Sequence, residues 1–265
     1  MPSSTSSISE GQKKSNLTKF NLLWLIVTVL VFSALVKLGL WQSGRALEKE
    51  QRLAQIEKLS NQKPVSLTQV LALLTDSESD INDYPVFIDG EFNEKELFLL
   101  DNQVNKGRLG YRVYQVARTK ENAVLINLGW VQGSINRDEL PNITALRGKQ
   151  KFKGNVRLIE KGILLQEQVF SKVTWPLRVQ QIELDKFSVI INRPLLPFIV
   201  YVDKNEVVGF EKNWQPIVMP PEKHRAYAFQ WFSLALAWLL LMLWAKFGGN
   251  RVKNNSNNIN KVKAD

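Results

Sequence analysis

The chain of 265 residues contains no cysteine, one histidine and three methionines. Without cysteine there is no disulfide framework, no thiolate nucleophile and no thiolate metal site. Zinc and copper sites need several histidine, cysteine or methionine ligands, and beyond the initiator the chain offers His224, Met219 and Met242. On a helix Met242 would lie about five turns, or ~27 Å, from His224, so the sequence does not favour copper delivery.

Catalytic motifs are missing as well. The sequence has no G-x-S-x-G element, no H-E-x-x-H element and no glycine spacing of a dinucleotide or nucleoside-triphosphate loop. A Ser-His-Asp arrangement would have to use His224, which stands between Lys223 and Arg225 next to a long apolar segment. We therefore expect a protein that is not an enzyme.

Two apolar segments are long enough to cross a membrane. Residues 20–40 contain one charge, Lys37, and residues 226–245 contain none, with Gln230 as their strongly polar group. About 20 residues at 1.5 Å each cross a ~30 Å hydrocarbon layer. A cleaved signal peptide and a buried globular helix are the alternatives, but the first segment lacks a good cleavage site and the second is apolar all round. We predict two transmembrane helices, with Gln230 turned toward the first.

The two predicted helices divide the chain into six parts. Lysines and arginines flank both helices in the short terminal tails, which favours cytoplasmic termini, so we expect a multi-pass protein of the bacterial cytoplasmic (inner) membrane. The Asn/Lys-rich end, 250–263, has the composition of a disordered tail. The predicted parts are a cytoplasmic tail (1–19), transmembrane helix 1 (20–40), a stalk helix and a short helix (41–82), a β-rich periplasmic domain (83–225), transmembrane helix 2 (226–245) and a second cytoplasmic tail (246–265).

The net charge of +10 and the pI of about 9.7 raise the question of nucleic-acid binding. The basic residues are scattered, and many of them flank the predicted membrane helices. Anionic lipid headgroups are therefore the expected counterpart of this charge, and no nucleic-acid partner is expected.

The segment between the helices is predicted to be mostly antiparallel β, either a small barrel or a sandwich. Ser66 and Gln69 have the spacing of a capping box before a short helix. The predicted fold is thus a membrane protein in which a hairpin of two transmembrane α-helices flanks an extracytoplasmic α+β domain. Short β-branched and aromatic runs indicate its strands, with a short helix at 182–187: 86–92, 97–100, 111–116, 124–131, 151–159 and 198–202.

His224 is the residue with the greatest chemical capacity, because a single neutral imidazole suffices as an axial ligand of haem iron. On a helix it shares a face with Tyr227, Ala228 and Trp231 at i+3, i+4 and i+7. Ala228 and Ala235 would leave a recess between aromatic walls on this face. The same pattern is typical of an interfacial anchor, or of a small-residue face that packs against another helix, and the residues alone favour that second interpretation.

The end of the first predicted helix holds the second group of candidates. Arg45 lies one turn beyond Trp41, where a guanidinium is able to bind a carboxylate such as a haem propionate. Snorkelling to lipid headgroups is the other role open to Arg45, and Trp41 suits the membrane interface. Gln42 either bonds to the second helix or faces water.

These elements resemble the Surfeit-locus-one family of cytochrome c oxidase assembly proteins, from the first predicted helix to the end of the second. They are similar to the family's LGxWQxxR...K, G-x-F, hairpin, N-R-G-W-V and H-x-x-YA-x-QW-F elements. One departure is Leu128, which stands where the family usually has arginine, so no role of that arginine is carried over. In chain order the matching elements are Leu38-Gly39-Leu40-Trp41-Gln42-Ser43-Gly44-Arg45 with Lys49, Ile88-Asp89-Gly90-Glu91-Phe92, Asp101-Asn102 with Gly110-Tyr111-Arg112-Val113, Asn127-Leu128-Gly129-Trp130-Val131, and 220–232.

The resemblance implies a chaperone of respiratory-chain biogenesis that helps to insert haem a into the catalytic subunit of a haem-copper (cytochrome c) oxidase. It implies that His224 is the axial ligand of the haem iron, and from the residues themselves we expect Tyr227, Trp231, Trp41 and Arg45 to complete the cofactor site. The expected partners are the oxidase catalytic subunit, haem a synthase and the lipid bilayer. The alternative is a cofactor-free membrane scaffold that stabilises an oxidase assembly intermediate, which the poverty of reactive residues in the exterior domain favours.

Overall fold

The computed structural model describes residues 6–75, 80–120, 122–159, 170 and 173–262, with side chains described between residues 22 and 247 of those ranges. The chain divides into two compact units, a helical unit (Met1–Leu53 with Ile217–Asp265) and a sheet unit (Ala54–Pro216). In chain order the elements are α1 (Ser6–Ser60), α2 (Leu67–Thr75), β1 (Pro85–Asn105), β2 (Arg108–Arg118), β3 (Ala123–Gln132), β4 (Gly148–Arg157), β5 (Leu177–Val179), α3 (Leu184–Ile190), β6 (Leu195–Val202) and α4 (Pro221–Val262).

The helical unit is built from α1 and α4, two helices that are long and apolar enough to cross a membrane. Their surfaces carry many exposed leucine, isoleucine, valine and phenylalanine side chains, as expected of helices whose solvent is lipid. α4 begins with Pro221, whose fixed φ and missing N–H suit the first position of a helix. It continues to Val262, through residues for which the sequence predicts a disordered tail. Once a helix is nucleated, each added residue gains a hydrogen bond.

Small residues form the seam between α1 and α4. The buried residues are eleven and seven positions apart on α1 and four and seven positions apart on α4, a pattern of helices that pack side by side over a long distance. Gly39 lies so close to α4 that a Cβ atom there would be 2.6 Å from the Phe232 ring. The seam residues are Thr28, Gly39 and Ala46 on α1, and His224, Ala228 and Ala235 on α4.

The sheet unit is a small closed barrel. Antiparallel pairs join β1 to β2, β2 to β3, β4 to β6 and β1 to β4, and β3 pairs in parallel with β6. The ring β1–β2–β3–β6–β4 therefore closes on β1. Closure is possible because β1 bends: its first half pairs with β4, its second half with β2, and register shifts separate the two. The barrel is thus the correct one of the two predicted architectures.

The predicted α+β class is confirmed, and the sheet is mixed. β5 pairs in parallel with β1, and β6 in parallel with β3. β5 is a three-residue strand, too short for a hydrophobic period to indicate it, and the sequence prediction missed it. The predicted strands at 86–92 and 97–100 are parts of the single strand β1, because a bulge re-aims a strand without ending it.

Both faces of the barrel sheet are covered by apolar side chains. The interior cluster includes Ile88, Val113 and Phe198, and α2 packs against it through Val70. An outer cluster, centred on Phe98 and with contributions from α3 and β5, covers part of the other face. β3 is buried over its first eight residues, which explains its unbroken apolar sequence. The capping box that the sequence predicts for α2 is confirmed: Ser66 N donates to Gln69 Oε1 at 2.9 Å, and Gln69 N donates to Ser66 Oγ at 3.3 Å.

Candidate functional site in the helical unit

His224 lies in the first turn of α4, three residues after Pro221. It faces the seam with α1 and retains 8% of its solvent exposure. Sequence-adjacent Lys223 and Arg225 are exposed, and so is Glu222, a carboxylate in the helix's first turn, where the helix dipole favours a negative charge. The single imidazole of the chain is therefore the buried polar member of a turn whose charged members face outward.

Gln42 is the partner of the buried imidazole. Its Oε1 lies 2.8 Å from His224 Nδ1, so of the two roles that the sequence left open for Gln42, the structure shows the bond to the second helix. An amide oxygen only accepts hydrogen bonds, so in the neutral imidazole this contact places the proton on Nδ1 and leaves the lone pair on Nε2. Ligating histidines commonly have one ring nitrogen held by an acceptor of this kind while the other binds the metal. The contact therefore fixes the tautomer that an axial iron ligand requires.

Further contacts hold α1 and α4 together on either side of this pair. Arg225 forms an ion pair with Glu50, and at the other end of the seam Trp238 Nε1 donates to the Thr28 carbonyl oxygen at 3.2 Å. Sequence reasoning did not assign a role to Glu50, Thr28 or Gly39. Thr28 and Gly39 are eleven positions apart, and Gly39 and Ala46 are seven positions apart. This spacing of small residues is the sequence signal that would have indicated the α1 side of the seam.

The predicted recess beside His224 is filled by α1. Ala228 and Ala235 are buried in the seam, and Trp231 is half-buried beside them. Small side chains let helix backbones approach closely, so this face serves helix packing, as the alternative interpretation of the sequence has it. Tyr227 lies outside the seam and is 45% exposed. A planar ligand at His224 would thus have to meet the edge of the helix pair.

The remaining predicted site residues lie on the surface of α1. Trp41 is 54% exposed, and the Arg45 guanidinium carbon lies 6.0 Å from the centroid of its ring. Arg45 also forms an ion pair with Glu48 at 2.7 Å. The described contacts of Arg45 go to its own helix, so a ligand carboxylate would have to replace Glu48.

The predicted orientation of Gln230 is wrong, because this residue is exposed. Gln230 follows the seam residue Ala228 by two positions. Two positions correspond to about 200° around an α-helix, so a seam through Ala228 leaves Gln230 on the far side of α4. The glutamine that the seam contains is Gln42.

A comparison with family models identifies the protein family of this chain. A family model described as the SURF1 family matches residues 29–236, a segment that starts within α1 and ends within α4. This is more than half of the 265 residues.

The chain belongs to the SURF1 family.

SURF1 family members are assembly factors associated with cytochrome oxidase rather than enzymes. A comparison with curated proteins gave no match.

The SURF1 element in β3 has a structural explanation. Gly129 has a φ of +117°, and a Cβ atom there would lie 2.9 Å from the carbonyl oxygen of Glu211, so the segment after β6 packs directly on this glycine. Trp130 Nε1 donates to the Gln103 carbonyl oxygen at 2.8 Å. Leu128, which takes the place of the family's usual arginine, has 0% exposure and belongs to the interior cluster. Its position is an apolar core position in this chain.

Proposed function

We propose that this SURF1 family member delivers haem a to the catalytic subunit of a haem-copper oxidase. His224 would hold the iron of this cargo through Nε2. The observation that supports the proposal is the 2.8 Å contact between His224 Nδ1 and Gln42 Oε1, which leaves Nε2 as a free lone pair on the single histidine of the chain.

The surroundings of His224 suit a transient ligand. The ring is largely covered by protein, and the small-residue face beside it is occupied by α1. Haem would therefore be held by the edge of the helix pair. Exposed aromatic residues on both helices, Trp41 and Tyr227, offer apolar contact for a porphyrin, and Arg45 offers a cation for a propionate. A weakly enclosed cargo is one that a carrier can release.

The test is to co-express the chain with the enzymes of haem a synthesis, purify it in mild detergent and determine its haem content from the spectrum. We expect stoichiometric haem a in the wild type and its loss in His224→Gln. Glutamine retains a hydrogen-bonding amide that can face Gln42, so this variant separates ligation from packing. Lys223→Gln, one residue away and exposed, is the matched control and should retain haem. Stoichiometric haem in His224→Gln would rule out His224 as the required ligand.

A cofactor-free scaffold is the second candidate, and the burial of His224 within the seam favours it. In that case Gln42 and His224 form a structural bond, and the sheet unit binds an oxidase assembly intermediate. The same purification then yields a wild type without haem, and oxidase maturation depends on the stability of the helix pair. Maturation that follows thermal stability across seam variants, in the absence of bound haem, would support the scaffold.

We also propose that α1 and α4 cross the bacterial cytoplasmic membrane, with both termini in the cytoplasm and the sheet unit in the periplasm. The support is the set of lysines and arginines that flank both apolar segments in the short tails. Reporters that are active in one compartment only, fused after residue 265 and inserted at an exposed site such as Ile135, test this orientation. A cytoplasmic signal from the insertion at 135 would contradict it.

A further inference from the structure

A cluster on the outer face of the barrel combines two arginines with two aromatic rings. The rings of Tyr201 and Trp214 lie 5.4 Å apart between their centroids. The Arg112 guanidinium carbon lies 5.8 Å from the Tyr201 centroid, and that of Arg157 lies 4.0 Å from the Trp214 centroid. An aromatic pair thus has a guanidinium on each side, an arrangement that orients both cations.

Strand register brings these residues together. Tyr201 on β6 pairs with Asn127 on β3 and with Asn155 on β4, and Tyr114 on β2 pairs with Asn127 in turn. Because alternate residues of a strand share a face, Arg112 joins Tyr114, and Arg157 joins Asn155, on the outer face of the sheet. Arg112, Tyr201 and Arg157 therefore stand on hydrogen-bonded strands of a closed barrel, while Trp214 comes from the segment after β6.

The two arginines of the cluster differ in whether a described carboxylate pairs with them. Arg157 forms an ion pair with Asp83, a carboxylate that is itself buried. For Arg112, the described part of the chain contains no carboxylate at ion-pair distance, and its Nη1 donates to the Tyr201 hydroxyl oxygen at 3.4 Å. Burial raises the pKa of the nearby Tyr114 hydroxyl well above its ordinary value, so that phenol stays neutral. Arg112 is thus a half-buried cation whose described hydrogen bond and ring contact are with the neutral side chain of Tyr201.

We propose that Arg112 and Tyr201 form a binding site for one carboxylate of a protein partner, from an acidic side chain. A guanidinium has five donors in a planar fork that matches a carboxylate, and one contact to Tyr201 leaves donors of Arg112 for a ligand. Arg157 shows in the same cluster that a stacked guanidinium of this barrel takes an aspartate. One uncompensated positive charge balances one carboxylate, whereas a phosphate carries more charge than a single arginine neutralises. The site belongs to the sheet unit and does not depend on haem binding at His224.

The experiment titrates the full-length protein, purified in neutral detergent, with N-acetyl-aspartate amide, with the isosteric N-acetyl-asparagine amide and with inorganic phosphate, by calorimetry. We expect the aspartate probe to bind at least about tenfold more tightly than the asparagine probe. Arg112→Gln should remove that preference, and Arg112→Lys should weaken it because lysine lacks the fork. Arg147→Gln, at an exposed arginine paired with Glu94, is the matched control and should bind like the wild type.

Thermal unfolding separates a binding role of Arg112 from a structural one. Arg112→Gln should change the apparent Tm by no more than about 2 °C, because the described residues place no carboxylate at ion-pair distance from this cation. Arg157→Gln should lower it by about 6 °C or more, since it removes the ion pair described between Arg157 and the buried Asp83. Equal binding of the two amide probes, tighter binding of phosphate, an unchanged preference in Arg112→Gln, or a Tm loss in Arg112→Gln as large as in Arg157→Gln would each overturn the proposal.

Discussion

The helical unit and the barrel bury different kinds of side chain. The barrel buries large apolar side chains on both faces of its sheet, and β3 is buried over eight consecutive residues. The seam between α1 and α4 buries glycine, alanine, one threonine and one histidine. In a membrane, where we propose that α1 and α4 lie, lipid would remove the hydrophobic drive to pair helices, so close backbone approach and hydrogen bonds would act instead. The seam is thus held by close approach and one polar pair, whereas the barrel is held by apolar burial, and a polar side chain that the sheet unit does bury, Gln115, is bonded to backbone carbonyl groups.

The largest expected effect tests this contrast inside the barrel. Leu128→Arg restores the residue type that is usual in the family at a position that has 0% exposure here. It would place a charge among apolar side chains, which destabilises a fold by about 4 kcal/mol or more. We expect loss of cooperative unfolding of the sheet unit, as measured by circular dichroism. The control, Val104→Arg, lies on the exposed part of β1 and should unfold like the wild type. A fully stable Leu128→Arg would mean that the interior accommodates polarity after all.

Gln42→Leu tests the polar pair of the seam. The substitution leaves His224 Nδ1 buried without an acceptor, which costs about 1–3 kcal/mol. If His224 ligates haem, the loss of this support should also weaken haem affinity by about 10- to 100-fold. Thermal unfolding and haem titration in detergent measure the two effects. The matched control is Gln230→Leu, the exposed glutamine of α4, for which we expect neither effect. Equal behaviour of the two variants would remove Gln42 from the site.

A pair of glycine substitutions sharpens the role of close approach. Gly39→Ala would place a Cβ atom 2.6 Å from the Phe232 ring, and overpacking of this kind costs about 1–3 kcal/mol. Gly44→Ala meets no atom within 4 Å, and alanine should stabilise α1 there by about 0.8–1 kcal/mol. Opposite shifts of the apparent Tm are the expected result. Phe232→Ala should rescue Gly39→Ala in a double-mutant cycle, and an additive double variant would argue against the contact.

The smallest expected effect concerns the ion pair beside His224. The side chain of Arg225 is 63% exposed and that of Glu50 is 34% exposed, and ion pairs that water reaches contribute about 0–1 kcal/mol. Glu50→Gln should therefore leave the apparent Tm of the helical unit nearly unchanged, with any difference vanishing in high salt. A loss as large as that of Gln42→Leu would show that charge, rather than the Gln42–His224 bond, holds this end of the seam.

The sequence predicts the parts of the fold that have a simple period or composition. Two long apolar segments indicate α1 and α4, the Ser66–Gln69 spacing indicates the start of α2, and apolar runs indicate most strands. Barrel closure through the bend of β1, and the parallel pairing of β6 with β3, depend on contacts between distant residues. No local pattern encodes such contacts.

The candidate site shows the same division. The composition alone shows that the chemistry of the site must depend on one histidine. A hydrogen bond from Gln42 to the second helix was one of the two roles expected for that residue. The sequence led us to expect Gln230 on the side of α4 that faces α1, but Ala228 and His224 occupy that side. Small residues are compatible with either a ligand recess or a helix neighbour, and the sequence of one helix does not reveal which of the two fills the space.

Resonance Raman spectroscopy of the ferrous haem a-loaded protein tests the central claim most directly. The chain has one histidine, so ¹⁵N-histidine labels His224 alone. The account predicts an iron–histidine stretching band that shifts to lower frequency on labelling and is absent from His224→Gln. An iron–ligand band that does not respond to the label would contradict it.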